Sequence, residues 1–465
     1  MANKNILTTP SKTVQVGLNF YSPVATVPPY GIPLGTTYCF LSKVTSWDDD
    51  NDPPTPTADV KYTKQVMKNM FVAKLLTSND ICPVIERIDW VSGVVFDMYR
   101  DDIDILEYGE NDKLLYKFYV KNRYDQVFKC LWNDNGAPST IEPYFEPGSY
   151  GTNNIFKGSD KYKWKYMYTI DTSLSLRFMD KLWMPVIIGA NTPNPLMTAA
   201  GAGSLDVMNV TEGGSGYDPT NSAITITITG DGTGAVGVAN VQGGLIDDII
   251  VTNPGTNYTY SDITITSESG SGAQAFANTS PVGGHGFDPI SELGCSHIMF
   301  TSQFDGSEGG VIPTDINYYQ LGLVINPTSR DSILMAENLG ISESLPANGV
   351  IYKTTTDFIV APGFGTYLPD EIVFQGPTDN ILDATFVATV LSFDVATNVL
   401  NLINTTGTPI PNTPVKNTPK TNRTLLSYTT PNYSIFSGYM AYIENRSGVQ
   451  RSEDGIEQVR IVLGY

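Results

Sequence analysis

The sequence predicts a mainly β protein: a discontinuous β-sandwich core with two short helices in its loops, and small β modules inserted into it. Three observations predict this class. The 42 glycines and 30 prolines favour turns and short strands over long helices. Aromatic and aliphatic residues alternate with charged ones over many short runs, and a Gly/Thr/Ile pattern repeats within the chain. With 41% hydrophobic and 16% charged residues, the 465-residue chain is too apolar for disorder, and its length allows about two to four domains.

Taken in order, residues 1–47 read as short β segments punctuated by Pro23, Pro28, Pro29 and Pro33. The acidic, proline-rich run from Asp48 to Pro56 reads as an exposed turn. Val60, Lys64, Met67, Phe71 and Leu75 recur at helical spacing and predict a helix from Asp59 to Leu75. Residues 81–132, including the runs Leu114–Val120 and Val127–Trp132, alternate as half-buried strands do, and Tyr162–Tyr168 alternates aromatic residues with lysines. A second short helix is expected over about Ser173–Trp183, and a terminal strand over Val459–Leu463.

At residue 200 the composition shifts to Gly, Thr, Ser, Ile and Val, and a repeat appears. Gly213-Gly-Ser-Gly-Tyr217 leads through Ile224–Thr229 to Gly230–Ala235; Pro254-Gly-Thr-Asn-Tyr258 leads through Ile263–Thr266 to Gly270–Ala273. A worn third copy runs from Pro362 to Thr389. Each copy predicts a hairpin with one apolar face that a neighbour must cover. The resulting plan is a core first part (1–200), an inserted β-repeat module (201–282), a core second part (283–345), a second inserted module (346–420) and C-terminal core strands (421–465).

Residues 1–181 hold 20 basic and 22 acidic side chains, residues 182–415 hold 2 and 22, and residues 416–465 hold 6 and 4. The net charge of −20 therefore sits in the middle of the chain, and no Lys or Arg occurs from Leu182 to Ser329. Such a segment cannot make the phosphate contacts of nucleic-acid binding and is repelled by an anionic bilayer, so neither is an expected partner. The N-terminus lacks the apolar stretch of a secretory signal, and the four cysteines are widely spaced, which predicts a chain that stays where it is made with reduced, buried thiols.

Chemistry-bearing motifs are scarce. His285 and His297 are the only histidines and lack the companions of a zinc site, which predicts structural roles and no cofactor. Gly232–Gly237 matches GxGxxG, but a strand rather than a helix follows, so no dinucleotide site is expected. Asp48, Asp50, Asp52 and Asp59 fall at calcium-loop spacing, yet Pro53 stands where the loop needs glycine. No serine sits in a GxSxG elbow, and no carboxylate pair is singled out for glycoside hydrolysis. The 26 tyrosines, 19 phenylalanines and 5 tryptophans suit core and subunit-interface anchors more than sugar platforms.

Several segments in order resemble the baseplate wedge subunit family (gene 8 product) of T-even-type contractile-tailed bacteriophages. They are Asn19-Phe20-Tyr21, the Trp47 loop with the Asp59 helix, Arg87-Ile-Asp-Trp90, Val127–Leu131 and Tyr162–Tyr168. The most specific are Gly438-Tyr-Met-Ala-Tyr-Ile-Glu-Asn-Arg446 and the closing Gln458–Leu463. The resemblance implies a non-enzymatic virion protein of the tail baseplate, assembled in the host cytoplasm. It implies a homodimer packed beside other baseplate wedge proteins and tail fibre components. Trp90, Trp164 and Arg446 lie in the family-like segments and are the candidate core or interface residues. The inserted repeats are not matched by the family's short form; they are expected to face outward from the baseplate. The alternative is a glycan-binding or glycan-cleaving tail protein using the Gly/Thr/Tyr-rich modules, and a weaker one is a calcium-stabilised β module.

Overall fold

The computed structural model describes residues 4–7, 36–107, 114–147, 154–187, 203–218, 224–281, 283–329, 349–417 and 422–464. The Asn19-Phe20-Tyr21 segment lies outside them. The chain is mainly β, with 48% of the described residues in strands against 8% in helices, as the glycine, proline and alternation patterns predict.

In chain order the strands are β1 (Lys4–Leu7), β2 (Thr37–Ser42), β3 (Met70–Leu76), β4 (Ile81–Glu86), β5 (Tyr119–Lys121), β6 (Gln126–Trp132), β7 (Ile155–Lys157), β8 (Lys163–Thr169), β9 (Trp183–Pro185), β10 (Met208–Ser215), β11 (Thr225–Gly230), β12 (Thr233–Gln242) and β13 (Leu245–Thr256). Then follow β14 (Ser261–Thr266), β15 (Ser271–Ala277), β16 (His297–Asp305), β17 (Ile316–Ile325), β18 (Ile351–Lys353), β19 (Thr356–Val360), β20 (Ile372–Gln375), β21 (Phe386–Asp394), β22 (Val399–Gly407), β23 (Pro414–Asn417), β24 (Asn422–Thr429), β25 (Tyr439–Arg451) and β26 (Ile456–Gly464). Among the described residues the α-helices are α1 (Val60–Asn69), α2 (Thr172–Phe178) and the single turn α3 (Pro289–Glu292).

Both principal helices are shorter than their periodicity predicts. Asp59 caps α1 by accepting the Tyr62 N–H at 2.8 Å, but the backbone turns extended at Met70. Phe71 and Leu75, expected on the helix, lie on β3, which is wedged between β2 and β18 and pairs Ala73 with Phe40. An apolar run flanked by two strands satisfies its backbone in the sheet, which a helix at that place would leave unpaired. Asp171 likewise caps α2 through the Leu174 N–H at 2.9 Å, and the chain leaves the helix before Trp183, which begins β9 and pairs with Glu86 of β4. Among the described residues of 81–132 only β4, β5 and β6 are strands, and β6 is buried at every position rather than on alternate ones.

Two compact units emerge: residues 1–81 with 300–463, and residues 82–299. The first unit holds a six-stranded sheet ordered β1-β25-β17-β2-β3-β18 and a closed barrel ordered β19-β22-β21-β20-β23-β24. Its sheet packs Tyr38, Phe40, Val324, Met440 and Ile443 against Val66 and Met67 of α1. The second unit holds the sheet β5-β6-β8-β7, built around Phe118, Phe128, Tyr162, Trp164 and Tyr168, and the repeat sheet β11-β14-β15-β10-β13-β12.

The repeat sheet pairs its copies crosswise instead of forming one hairpin per copy. β11 pairs with β14, β10 with β15 and β13 with β12, while β10 meets β13 through Met208 and Ile249. This gives an approximate twofold relation. The Tyr217 N–H bonds the Gly244 carbonyl at 3.1 Å, and the Tyr258 N–H bonds the Gly203 carbonyl at 2.9 Å. Tyr217 covers Gly270 and its hydroxyl accepts the Ala273 N–H at 3.2 Å; Tyr258 covers Gly232 and accepts the Ala235 N–H at 3.3 Å. Gly214 and Gly255, with φ of +63° and +67°, pass so close to the neighbouring ladder that a Cβ would strike its backbone. Each tyrosine thus closes the glycine turn of the other copy. Since β12 also lies against β11, the strands follow the same cyclic order as the β19–β24 barrel, with β10 corresponding to β19. The worn third copy supplies Tyr367 between the first two barrel strands, where it is buried and donates to the Val415 carbonyl at 2.8 Å. There β20 and β21 do pair as the predicted hairpin.

Candidate functional site

A buried group of charged side chains lies inside the second unit. Alternation along β8 turns Lys163 and Lys165 to one side, beside Lys129 of β6 and Lys157 of β7. Sequence alternation suggests that such lysines face water. Instead Lys129, Lys163 and Lys165 are buried, because acidic residues of the lysine-free Leu182–Ser329 segment cover them. Lys157 pairs with Asp247 at 2.8 Å, Lys163 with Asp248 at 2.6 Å, and Lys129 with Glu292 at 2.9 Å. Lys163 also donates to the Met208 carbonyl at 2.7 Å. The repeat sheet is therefore fastened to the β6–β8 sheet by charge.

Around Lys129 the packing is tight. Its ammonium lies 4.2 Å from the Tyr99 ring centre, and Glu292 uses its second oxygen to accept the Gly286 and Asp288 N–H groups at 2.7 and 3.2 Å. Asp206 accepts the His285 N–H at 3.1 Å. The His285 ring stands edge-on to Tyr99, with Nδ1 3.9 Å from Glu292 and no hydrogen bond. Burial, with help from Lys129 and Lys165, holds the imidazole well below its usual range and so neutral. Burial also brings the Lys165 ammonium down to about 8, against the pull of Glu292 and Asp206. A general base needs access to a reactant; this imidazole is sealed, so its arrangement clamps the 285–292 segment.

A second polar group lies in the first unit. Asn445, in the middle of β25, bonds Tyr62 of α1, accepts from Gln320 of β17 at 2.7 Å and donates to the Pro54 carbonyl at 2.7 Å. Next door the Trp47 indole donates to the Arg446 carbonyl at 3.0 Å, and Ser447 donates to the Asp50 carbonyl at 2.7 Å. A cleft of ≈ 160 Å³ opens beside this network, lined among others by Lys43, Trp47, Tyr62, Gln65, Asn69 and Asn404. Lys43 itself covers the Trp47 ring at 4.4 Å.

Of the candidate residues, Trp164 is 1% exposed and stacks on Tyr162 at 5.5 Å between centroids. Trp90 is half-buried, donating to Ser139 Oγ at 3.0 Å, and Arg446 is half-buried beside Trp47. Trp90 and Trp164 pack on the same hydrophobic core of the second unit, while Arg446 belongs to the first. His297 meets Ser296 Oγ at 2.9 Å and packs on Trp183. In the acidic loop, Asp50 accepts the Trp47 N–H and Asp59 caps α1, so two carboxylates at calcium-loop spacing are spent on backbone. Burial pushes the Cys39, Cys82 and Cys295 thiols up to about 12, which leaves them inert. Lys129, Lys163, Lys165, Asp206 and Glu292 are absent from the sequence-based candidates. Their one signal is complementarity between the lysine-bearing Tyr162–Tyr168 strand and the Leu182–Ser329 segment, which contains no Lys or Arg.

No protein-family model matches the chain, and no curated protein matches it.

Proposed function

We propose that the chain is a structural component of a contractile-tailed phage virion: a baseplate wedge subunit that forms a homodimer and assembles with other wedge proteins. One observation carries the reading. Wedge-like segments far apart in sequence, the Trp47 loop, the Asp59 helix and the Tyr442-Ile-Glu-Asn-Arg446 run, meet in one hydrogen-bonded group around Asn445. A resemblance scattered by chance has no reason to converge on one buried network. The lysines of the β6–β8 sheet are likewise consumed in packing, as suits a scaffold. Adding the purified chain to an infected-cell extract that lacks it tests the reading: the chain should enter tail particles and sediment alone as a dimer. Exclusion from particles would sink it.

A second reading, a glycan-binding tail protein, rests on the cleft beside Trp47, whose Gln65, Asn69 and Asn404 carboxamides suit sugar hydroxyls. Saturable binding of neutral monosaccharides, abolished by Asn404→Ala, would favour it.

A further inference from the structure

The approximate twofold of the repeat sheet makes two surfaces comparable. On one, the paired residues Asn209 and Phe276 are docked against the rest of the second unit: Asn209 is 1% exposed and donates to the Leu131 carbonyl at 3.0 Å, and Phe276 lies edge-on to Trp132 at 5.7 Å. The twofold equivalent of that pair is Ile250 with Val238, also directly opposite one another. They are 54% and 52% exposed, and Val236, two residues along on the same side, is 49% exposed. At the Asn209/Ile250 position the polarity is inverted, whereas at the Phe276/Val238 position both copies are apolar. In a duplicated unit the bare copy of a surface should be the more polar one, because nothing there repays the ordering of water around apolar groups. Here the covered position carries asparagine and the bare one isoleucine.

We propose that Val236, Val238 and Ile250 form a docking surface for a heterologous protein whose own apolar patch is rimmed by Lys or Arg. Charge selects that occupant. Of the eight acidic residues between 203 and 277, Asp247 and Asp248 are paired with lysines and Asp206 faces the Lys129 group. The other five, Glu212, Asp218, Asp231, Asp262 and Glu268, are exposed on a module that contains no cation. A second copy would bring the same excess of negative charge against it, whereas a basic rim would be attracted and steered. The patch also continues a surface already used for docking, since Asp248, on the same side of β13 as Ile250, is tied to Lys163. The inference deepens the baseplate reading and rests on it for the partner, another subunit of the particle.

The test is incorporation of the full chain into tail particles in the extract that lacks it, at limiting concentration. Val238→Ser with Ile250→Asn, the latter installing the residue of the docked equivalent, should lower incorporation about tenfold or more while leaving the melting temperature and the dimer unchanged. Val236→Ser alone should give a smaller loss. Wild-type incorporation should also fall as NaCl is raised. Undiminished incorporation of both variants would overturn the surface, and dissociation of the double variant to monomers would make it a self-contact and overturn the occupant. If wild-type chain fails to enter particles, the baseplate reading itself falls, a result separate from either.

Discussion

Lys129 and Glu292 form an ion pair with side chains 0% and 4% exposed, so each charge depends on the other. Lys129→Met leaves the carboxylate buried and unpaired and should cost about 3–5 kcal/mol in urea unfolding. Adding Glu292→Gln should restore part of that loss, since the amide is neutral and its oxygen can still accept from Gly286 and Asp288. An equal loss in both variants would mean that the pair is not coupled. His285 sets a pH dependence on the same spot, among Tyr99, Lys129, Lys165, Asp206 and Glu292. Its folded form stays neutral while the unfolded chain takes up a proton near pH 6.5, so stability must fall as pH drops below that value. The slope from this residue is at most about 1.4 kcal/mol per pH unit. His285→Gln should flatten the curve between about pH 6.5 and 5, and an unchanged slope in that variant would overturn the assignment. None of this was legible residue by residue. Alternation in Tyr162–Tyr168 says that the lysines share a side, which is correct, but not what covers that side.

At the scale of elements, what local chemistry dictates could be read and what pairing dictates could not. Asp59 marks the start of α1 because capping is a local interaction, and α2 starts close to the expected Ser173, capped by Asp171. The ends were overrun because Met70–Leu76 is apolar at nearly every position, and such a run fits helical spacing as well as a strand buried on both faces. The repeat was visible, but its strands carry the same alternation whichever partner they take, so crosswise pairing could not be told from hairpins. That pairing has its own consequence. Tyr217 and Tyr258 each accept one N–H from the other copy's turn, so Tyr217→Phe and Tyr258→Phe should lower stability by similar amounts, about 1 kcal/mol each. Markedly unequal losses would show that the two turns are not equivalent.

For the whole molecule, the charge of −20 has two different fates. The sequence locates all of it in the middle of the chain and suggests a surface facing water. Part of that acidity instead turns inward: Asp247, Asp248 and Glu292 neutralise Lys157, Lys163 and Lys129, lysines of the nearly neutral first 181 residues. Sequence position alone cannot separate the inward from the outward carboxylates, because the distinction depends on which lysines fold beneath them. The separation can be measured through salt. Exposed, unneutralised carboxylates repel across water and are screened within about 10 Å at 0.1 M ionic strength, whereas buried pairs are screened much less. If the excess negative charge dominates, the melting temperature should rise as NaCl is increased from about 10 to 300 mM at neutral pH. If the paired charges dominated instead, screening would remove attraction and the melting temperature would fall. Since Lys129, Lys163 and their partners lie largely out of solvent, the expected sign is a rise. The Lys129→Met chain should show the same rise from a lower starting point, because the repulsion lies on the outer surface of the modules and not at the pair that was broken.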